Sequence, residues 1–431
     1  MRGKKLIILI TGLLVAIAAT VVFTADAAAR RGTTPHRDVT TTSKSRPTSS
    51  DRANGRPSSH HQASNGVTSL GLRAGAGSPT AADLAAATAM LPKLSPAQLA
   101  GQRVIYSYAG RTPPSQLLNL IRHGEVAGVI FFSGNIGSHA QIAAVAKELQ
   151  KANAASTNPV RLPLLLMTDQ EGGEVKRLPG EPVLSAKEMG ESPTSWTTTT
   201  REGTLGAQNL RSVGMNVNLA PVLDVFRKPG NFIDQFQRSF SNKSGTVAKL
   251  GTLFATAEQA RGVAGTVKHF PGLGVATRSQ NTDERPVTLR LSLSQIRNID
   301  ELPYKSAIAA KVKLVMMSWA VYPALDAKFP AGLSSVVVQG ELRKRLGFTG
   351  VTITDALEAG ALRAFGSTAH RSTLAARAGM DLLLDAELNY RQGVASMNAL
   401  EFDYVHHTLN ATAFRAAVAR ILALRMSLAG H

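Results

Sequence analysis

The sequence contains no cysteine among its 431 residues. This absence excludes disulfide bonds, cysteine-ligated zinc, iron–sulfur clusters, thiol nucleophiles and lipid attachment through a lipobox cysteine. No cluster of histidines and carboxylates with metal-ligand spacing takes their place, and the pair His60-His61 has no third ligand nearby. The sequence therefore predicts neither a metal nor a cofactor.

Aromatic residues make up only 5% of the chain. Acidic residues are also scarce: the chain has 29 Asp and Glu but 48 Lys and Arg, which gives a net charge of +19. Residues 1–80 carry eleven Lys or Arg and three Asp, a net +8, which leaves +11 for the other 351 residues. That remainder has no dense basic tract with interleaved aromatics. The charge therefore indicates attraction to polyanions such as an anionic cell envelope, and we do not expect nucleic acid binding.

One long apolar run occurs, Leu6–Phe23, directly after basic residues at positions 2, 4 and 5. This arrangement is typical of an export signal. Its 18 residues could span a bilayer and exceed the ~7–15 of a cleaved signal, whereas Ala25–Ala27 and Ala27–Ala29 offer small-residue cleavage sites. We therefore expect an exported protein in which residues 1–29 form either an outward-facing membrane anchor, the favoured interpretation, or a signal peptide whose removal gives a secreted protein.

The following segment, residues 30–80, is rich in Ser, Thr, Pro and Arg and poor in large aliphatic side chains. Such a composition buries too little apolar surface to offset the entropy lost on ordering, so we predict a disordered linker. About fifty flexible residues give a root-mean-square reach on the order of 40 Å. The linker would hold a catalytic domain, residues 81–431, away from the membrane.

From residue 81 onward, apolar β-rich runs alternate with amphipathic helical stretches, which is typical of a parallel sheet covered by helices. Eight repeats in about 350 residues predict an α/β fold of the (β/α)8 TIM-barrel type, with a doubly wound open sheet as the alternative. No phosphate-binding glycine fingerprint follows the first strand, which disfavours the open sheet. The predicted strands are Arg103–Tyr108, Val126–Phe132, Leu162–Thr168, Asn216–Val222, Gly265–His269, Leu314–Ser318, Gly350–Thr354 and Met380–Leu384.

Ionisable side chains follow five of these eight strands. In a TIM barrel the carboxyl ends of all strands meet at one mouth, where the chemistry of the fold takes place. A single such residue could simply cap the next helix. Five together indicate a polar crater that binds a substrate. They are Asp169, Asp224, the pair Lys268-His269, Asp355 and Asp385.

Five sequence blocks, in the same order along the chain, resemble family 3 glycoside hydrolases of the β-N-acetylglucosaminidase branch. The first block is Asp-Gln-Glu-Gly-Gly with a following arginine, residues 169–177, and the second is the strand at residues 216–225. Arg-Ser-Phe-Ser at 238–241 and Lys-His-Phe-Pro-Gly at 268–272 come next. The last block, Thr-Asp-Ala-Leu at 354–357, is similar to the nucleophile motif of that family.

The resemblance implies a retaining mechanism, which needs a carboxylate nucleophile, and Asp355 is the matching residue. An alternative role for Asp355 is to cap a helix over Ala356–Leu362. The resemblance also implies that charged side chains from the other blocks bind the hydroxyl and acetamido groups of the sugar. These side chains are Asp169, Arg177, Arg238, Lys268 and His269, together with Asp224, which could instead orient the arginines.

The chain departs from the family at the Asp-x-His dyad that supplies the general acid/base. Counted from Lys268, the dyad positions fall on Ser279 and Asn281, or on Gln280 and Thr282 with a one-residue gap. None of these side chains can supply the ~10²–10⁴-fold of acid/base catalysis. A second departure is Trp319, where this branch more usually has histidine or a small polar residue.

Three interpretations of the missing dyad remain open. Asp283 or Glu284 on the same loop could act as acid/base, with its pKa raised as the loop closes over the site. The substrate could instead have a good leaving group or an added acceptor. Alternatively, the protein could bind peptidoglycan or sugar without turnover. We expect an enzyme that acts on β-linked N-acetylglucosamine derived from the cell wall, with a β-glucosidase-like hydrolase as a further alternative.

Overall fold

The computed structural model describes residues 79–155 and 157–429. The predicted export segment Leu6–Phe23 and nearly all of the predicted linker, residues 30–80, lie outside the described residues. Across the two described ranges, no helix has both the length and the apolarity required to cross a membrane.

Eight parallel strands close into a barrel, as the sequence predicts. In spatial order they run β1-β2-β3-β6-β7-β8-β9-β10, and β10 pairs with β1. A short antiparallel hairpin, β4–β5, projects directly after β3. The strands are β1 Val104–Tyr106, β2 Gly128–Ile130, β3 Leu165–Thr168, β4 Gln170–Gly172, β5 Val175–Lys176, β6 Val217–Asn218, β7 Ala264–Phe270, β8 Leu314–Met317, β9 Val351–Ala356 and β10 Leu382–Leu384.

Helices surround the barrel, and several begin at a side-chain cap. Ser138, for example, accepts a hydrogen bond from the Gln141 N–H at the start of α4, which satisfies one of the unpaired amides of the first turn. The α-helices are α1 Ala81–Met90, α2 Pro96–Gly101, α3 Ser115–Arg122, α4 His139–Asn153, α5 Ala186–Glu191, α6 Ser195–Ser212, α7 Ser244–Gln259, α8 Leu293–Gln295, α9 Leu302–Ala309, α10 Thr368–Ala378, α11 Tyr390–Val405 and α12 Ala411–Ser427.

The structure differs locally from the predicted elements. The fourth barrel strand, predicted over Asn216–Val222, is regular only at Val217–Asn218, because Pro221 lacks an N–H to donate to the sheet. The helical region after β7 is not continuous, because a π-helical turn at Ile296–Asp300 separates α8 from α9. The β4–β5 hairpin was not predicted.

Apolar side chains fill the barrel from its base upward. Leu165, Met167 and Leu314 belong to this inner core, and Ile421 and Leu424 of α12 join it. The C-terminal helix therefore covers the N-terminal end of the barrel. The polar side chains at the carboxyl ends of the strands lie at the opposite mouth, where a TIM barrel carries its site.

A buried polar network connects β6 to α7 just behind that mouth. The Asn218 side chain accepts the Gln170 N–H and donates to the Gln170 carbonyl, each at 2.9 Å, which fixes the start of the hairpin. Asn218 Nδ2 also donates to Glu258 Oε1 at 2.5 Å. Glu258 is fully buried and its second oxygen has no partner, so burial raises the pKa of this carboxyl well above its usual value.

Replacement of Glu258 by glutamine should therefore stabilise the protein increasingly as pH rises. A folded-state pKa above the unfolded value means that the wild type loses stability with rising pH, by up to about 1.4 kcal/mol per pH unit, until the folded-state pKa is passed. Glutamine stays neutral and can still accept from Asn218. Urea unfolding at pH 5, 6, 7 and 8 checks this, with Glu191→Gln at the exposed end of α5 as the control. A stability difference that does not change with pH would contradict a neutral Glu258.

Candidate active site

An ionic cluster at the mouth of the barrel joins β3, the hairpin and β7. The Lys268 ammonium lies 2.7 Å from Asp169 Oδ1 and 2.8 Å from Glu171 Oε1. Arg238, from the segment after β6, donates two hydrogen bonds to Glu171, at 2.9 and 2.8 Å. Arg177 adds a third cation, with Nη2 3.9 Å from Asp169 Oδ2. Two carboxylates are thus held among three cations.

Pairing of these charges outweighs the cost of burying them. Burial alone would raise the pKa of the Asp169 carboxyl, but Lys268 and Arg177 hold that pKa below its usual value. Burial opposes ionisation of Glu171 in the same way, and Arg238 and Lys268 hold its pKa well below the usual range. Both carboxylates are therefore charged at neutral pH and present fixed acceptors beside fixed donors, which suits the hydroxyl groups of a sugar.

His269, the next residue of β7, is held by a fully buried aspartate. Its Nδ1 lies 2.7 Å from Asp224 Oδ2. The other oxygen of Asp224 accepts the backbone N–H of His269 at 3.3 Å and of Leu273 at 2.7 Å. Because a carboxylate only accepts hydrogen bonds, Nδ1 carries the proton, and Nε2 is the nitrogen left available. Asp224 thus fixes both the ring and the loop that follows it.

Asp355 is the penultimate residue of β9 and is half-buried at the mouth. Its Oδ1 accepts the N–H of Ala356 at 2.8 Å, and no cation forms an ion pair with it among the described residues. The Trp319 indole donates to the Ala356 carbonyl at 2.9 Å, which holds the backbone beside Asp355. Asp355 lies within a strand and does not cap a helix; the next helical turn begins only at Gly360.

The loop that carries Asp283 is fastened to the segment after β9. The Gly360 N–H donates to the Asp283 carbonyl at 2.7 Å, and the Ala361 N–H donates to the Thr282 carbonyl at 3.0 Å. Glycine is required at position 360, because a Cβ there would lie 2.1 Å from the Glu284 carbonyl oxygen. The chain therefore brings Asp283 and Asp355 to one mouth through backbone contacts that hold the loop in place.

The Asp283 side chain faces the charges of the candidate site. Asp283 is exposed to solvent at the mouth, where the charges of Asp355, Arg238 and His269 act on its carboxyl. Loss of hydration, and then the negative charge of Asp355, raise the pKa of Asp283 to about 6, and the opposing charge of Arg238 does not cancel this. Asp283 can therefore exchange a proton near neutral pH.

Glu284, one residue further along the loop, is placed differently. Its carboxylate lies 3.0 Å from the Arg285 guanidinium, and both side chains are 58% exposed. Asn281 Nδ2 also donates to Glu284, at 3.3 Å. Of the two candidate acids, Asp283 is the one on whose carboxyl the charges of Asp355 and Arg238 act, whereas Glu284 is paired with Arg285.

Two further carboxyls lie near Asp355 on the side of β10. Glu358 accepts the Ala386 N–H at 3.2 Å and Gln392 Nε2 at 3.1 Å, and burial raises its pKa, with a smaller contribution from Asp355. Asp385 is fully buried, and its pKa is raised well above the usual value for the same reason. In the described part of the chain, no set of three or more His, Asp or Glu side chains is grouped so that it could hold a metal ion.

Comparison with known proteins identifies the family. The family model described as "Glycosyl hydrolase family 3 N terminal domain" matches residues 97–424. The chain belongs to glycoside hydrolase family 3. The resemblance based on the five sequence blocks is thereby confirmed, as is the expectation of a glycoside hydrolase.

Similar proteins match most of the chain. A protein named "Uncharacterized secreted glycosyl hydrolase" from Arthroderma benhamiae is 46% identical over 347 residues, 80% of this chain and 98% of its own length. The solved family 3 β-N-acetylglucosaminidase of Paenibacillus sp. FPU-7 is 33% identical with a TM-score of 0.73, covering 78% of this chain and 63% of that one. A solved β-N-acetylhexosaminidase from Beutenbergia cavernae is 32% identical with a TM-score of 0.69, covering 77% of this chain and 99% of that one.

Most of the candidate residues of this family 3 protein lie at one mouth, although they come from distant parts of the sequence.

The sequence analysis did not predict two residues that contribute to the site. Glu171 holds both Arg238 and Lys268, and the Asp-Gln-Glu-Gly-Gly block contained that signal. Trp319 was noted only as a departure, whereas its indole supports the backbone beside Asp355.

Proposed function

We propose that the protein is a retaining glycosidase that releases β-linked N-acetylglucosamine, with Asp355 as nucleophile and Asp283 as general acid/base. The observation that carries this proposal is that Asp283, with its pKa raised to about 6, faces the negative charge of Asp355. A carboxyl that can hold its proton near neutral pH, beside a second carboxyl near the end of β9, suits the pair of a general acid and a nucleophile. The names of the Paenibacillus and Beutenbergia neighbours support the choice of sugar.

In the first step, an oxygen of the Asp355 carboxylate attacks the anomeric carbon while the bond to the leaving oxygen breaks. Asp283 gives its proton to that oxygen, so the leaving group departs as a neutral alcohol. In the second step, Asp283 takes a proton from water, which attacks the same carbon and releases Asp355. Two displacements at one carbon retain the β configuration.

The ionic cluster would hold the sugar during both steps. A substrate hydroxyl that donates to one carboxylate and accepts from a neighbouring cation satisfies both, so an analogue without that hydroxyl leaves a buried charge unpaired. Asp224 uses both of its oxygens on His269 and the loop, so we assign it to positioning. The residues assigned to the sugar are Asp169, Glu171, Arg177, Arg238, Lys268 and His269.

We further propose that the protein acts outside the cytoplasm on cell-wall material. The basic residues at positions 2, 4 and 5 and the apolar run Leu6–Phe23 support export, as does the word "secreted" in the name of the Arthroderma relative. Fractionation of the producing cells, with N-terminal sequencing of the mature protein, tests this. A start near Arg30 in the medium indicates secretion, and an intact Leu6–Phe23 in the membrane fraction indicates an anchor. Recovery in the cytoplasm would contradict export.

The function is tested by incubating the full chain with aryl β-N-acetylglucosaminides, aryl β-glucosides and muropeptides. We expect the N-acetylglucosaminides to be hydrolysed and the first sugar released to be the β anomer, as followed by NMR. Initial release of the α anomer would contradict the double displacement, and a preference for β-glucosides would contradict the choice of sugar. Binding of N-acetylglucosamine without hydrolysis of any substrate would favour a sugar-binding protein.

A further inference from the structure

The two ends of the barrel differ in charge. Each helix that leads into a barrel strand ends at the base, opposite the mouth, so its last turn and the loop to that strand form a base segment. The seven base segments contain eleven Lys or Arg and three Asp or Glu, a net +8. They are residues 119–127, 150–164, 209–216, 256–263, 306–313, 342–350 and 375–381.

Charges at the mouth balance instead. The segments that run from each barrel strand to the next helix of the outer ring contain thirteen Lys or Arg and fourteen Asp or Glu, a net −1. These eight segments, the third of which includes α5, are residues 107–114, 131–138, 169–194, 219–243, 271–292, 318–335, 357–367 and 385–389. The excess of positive charge in the barrel loops therefore lies at the base.

The acids of the base segments are largely withdrawn from the surface. Glu258 and Asp381 are fully buried. Asp381 is also paired with the guanidinium groups of Arg343 and Arg420. Of the three acids, only Glu125 is partly exposed. The cations of the base are thus not neutralised by exposed carboxylates of the same segments.

Five cations of the base segments are exposed and form no ion pair with an acidic side chain of the described residues. They are Arg122, Lys151, Arg261, Lys344 and Arg377. The helix dipole favours a cation in the last turn of a helix. It does not account for the scarcity of exposed acids, nor for Arg261, which follows the end of α7. Because the segments are distributed around the barrel, the charge covers the whole face and does not follow one groove.

Exposed apolar side chains lie at the same end of the molecule. Phe402 is 59% exposed and Val405 is 48% exposed, both in the last turn of α11. This end of α11 lies at the base, since α11 runs back from β10 and packs against α2, which precedes β1. Apolar side chains among unpaired cations are typical of a protein face that rests on an anionic bilayer.

The described chain begins on this side of the barrel. Its first helix, α1, packs against α12, the helix that covers the base. The chain thus joins the barrel on the side whose charge suits an anionic surface, and the mouth lies at the other end.

We propose that the base is a docking face for an anionic phospholipid bilayer and that docking turns the mouth away from the membrane. Cations spread over a face suit the headgroups of a surface better than a single polymer strand, and the apolar side chains would enter the headgroup layer. The proposal concerns binding alone and does not depend on the roles of Asp283 and Asp355.

The first test measures sedimentation of the full chain with vesicles of phosphatidylcholine and with vesicles of equal parts phosphatidylcholine and phosphatidylglycerol. The ratio of the two affinities isolates the effect of lipid charge, because an apolar segment enters both kinds of vesicle. We expect wild type to prefer the anionic vesicles, and this preference should weaken as salt is raised. A combined base variant should lower the ratio by about tenfold or more, since each basic residue near an anionic surface adds to binding. Its changes are Arg122→Gln, Lys151→Gln, Arg261→Gln and Arg377→Gln.

The matched control removes four exposed cations from the mouth, so both variants lower the net charge equally. Its changes are Arg111→Gln, Lys228→Gln, Arg290→Gln and Arg363→Gln. We expect this variant to keep the wild-type ratio. Equal losses in the two variants, or an unchanged ratio in the base variant, would overturn the proposal. It would also be overturned if the base variant lost affinity for soluble polyphosphate alone and kept its preference for anionic vesicles.

The second test reads the orientation directly. Because the chain has no cysteine, Thr349→Cys at the base and Ser279→Cys at the mouth each give one site for an environment-sensitive dye. We expect anionic vesicles to shift the emission of the dye at position 349 toward the blue and to leave the dye at position 279 unchanged. A shift at position 279 alone, or equal shifts at both positions, would contradict docking through the base.

Discussion

Replacement of Asp355 by asparagine should lower kcat on N-acetylglucosaminides by about 10⁴–10⁶-fold, as loss of a catalytic nucleophile does in other enzymes. The amide cannot form the glycosyl ester, but it can still accept the Ala356 N–H that holds the carboxylate now. The fold and the ionic cluster should therefore persist. Measurement of kcat, together with thermal unfolding and N-acetylglucosamine binding, separates lost chemistry from lost structure.

The matched control is Asp385→Asn, at the end of the neighbouring strand. Asp385 is fully buried, accepts a hydrogen bond from Ser396 and has its pKa raised well above the usual value by burial. The proposed mechanism does not use it, so we expect near wild-type turnover. An activated fluorinated N-acetylglucosaminide should label wild type at Asp355, as read by peptide mass spectrometry, and should fail to label Asp355→Asn. Turnover at the wild-type rate in Asp355→Asn would remove the double-displacement mechanism.

The barrel could be predicted from the sequence because its signals are local. Each strand is a short aliphatic run followed by an amphipathic stretch, and Leu165–Thr168 and Leu314–Met317 lie within the predicted limits. The differences between the predicted and observed strands arise from features that a local hydrophobic pattern does not record. The proline in Ala220-Pro221 shortens β6, and the hairpin β4–β5 depends on Asn218, nearly fifty residues away.

The candidate site was predictable to the extent that it lies at strand ends. Strand ends and the family blocks identified Lys268, His269 and Asp355, but no pattern in the sequence shows that Arg238 pairs with Glu171, 67 residues earlier. The choice between Asp283 and Glu284 was also beyond the sequence. Asp283 and Glu284 are adjacent acids on one loop, so the sequence does not show which carboxyl the charges of the site act on. The position of the loop depends on backbone hydrogen bonds to residues 360–361.

Asp283→Asn should show which reactions need the acid. A dinitrophenolate leaving group is a weak base and departs without a proton, whereas the alkoxide of a sugar is strongly basic. We therefore expect hydrolysis of natural disaccharides to fall by ~10²–10⁴-fold and the first step on dinitrophenyl N-acetylglucosaminide to be nearly spared. Glu284→Gln is the control one residue further along the loop, and it should show no such difference between the two leaving groups.

The pH dependence gives an independent measure of the same proton. Because the pKa of Asp283 is raised to about 6, the carboxyl is protonated below that pH and loses its proton above it. In wild type, kcat/KM for natural disaccharides should therefore decline as pH rises through about 6, and this decline should be absent for Asp283→Asn acting on the dinitrophenyl substrate. A decline that persists unchanged in the variant would assign the titration to another group.

Azide tests the second step of the Asp283→Asn variant. With no base to activate water, the glycosyl ester on Asp355 should accumulate after dinitrophenolate leaves. Azide needs no proton removed, so it can attack the anomeric carbon, break the bond to Asp355 and give the β-glycosyl azide. We expect azide to raise steady-state turnover of the dinitrophenyl substrate in Asp283→Asn and to leave wild type little changed. If Asp283→Asn slows both substrates equally and azide restores neither, Asp283 is not the acid/base, and the same measurements on Glu284→Gln decide whether its neighbour is.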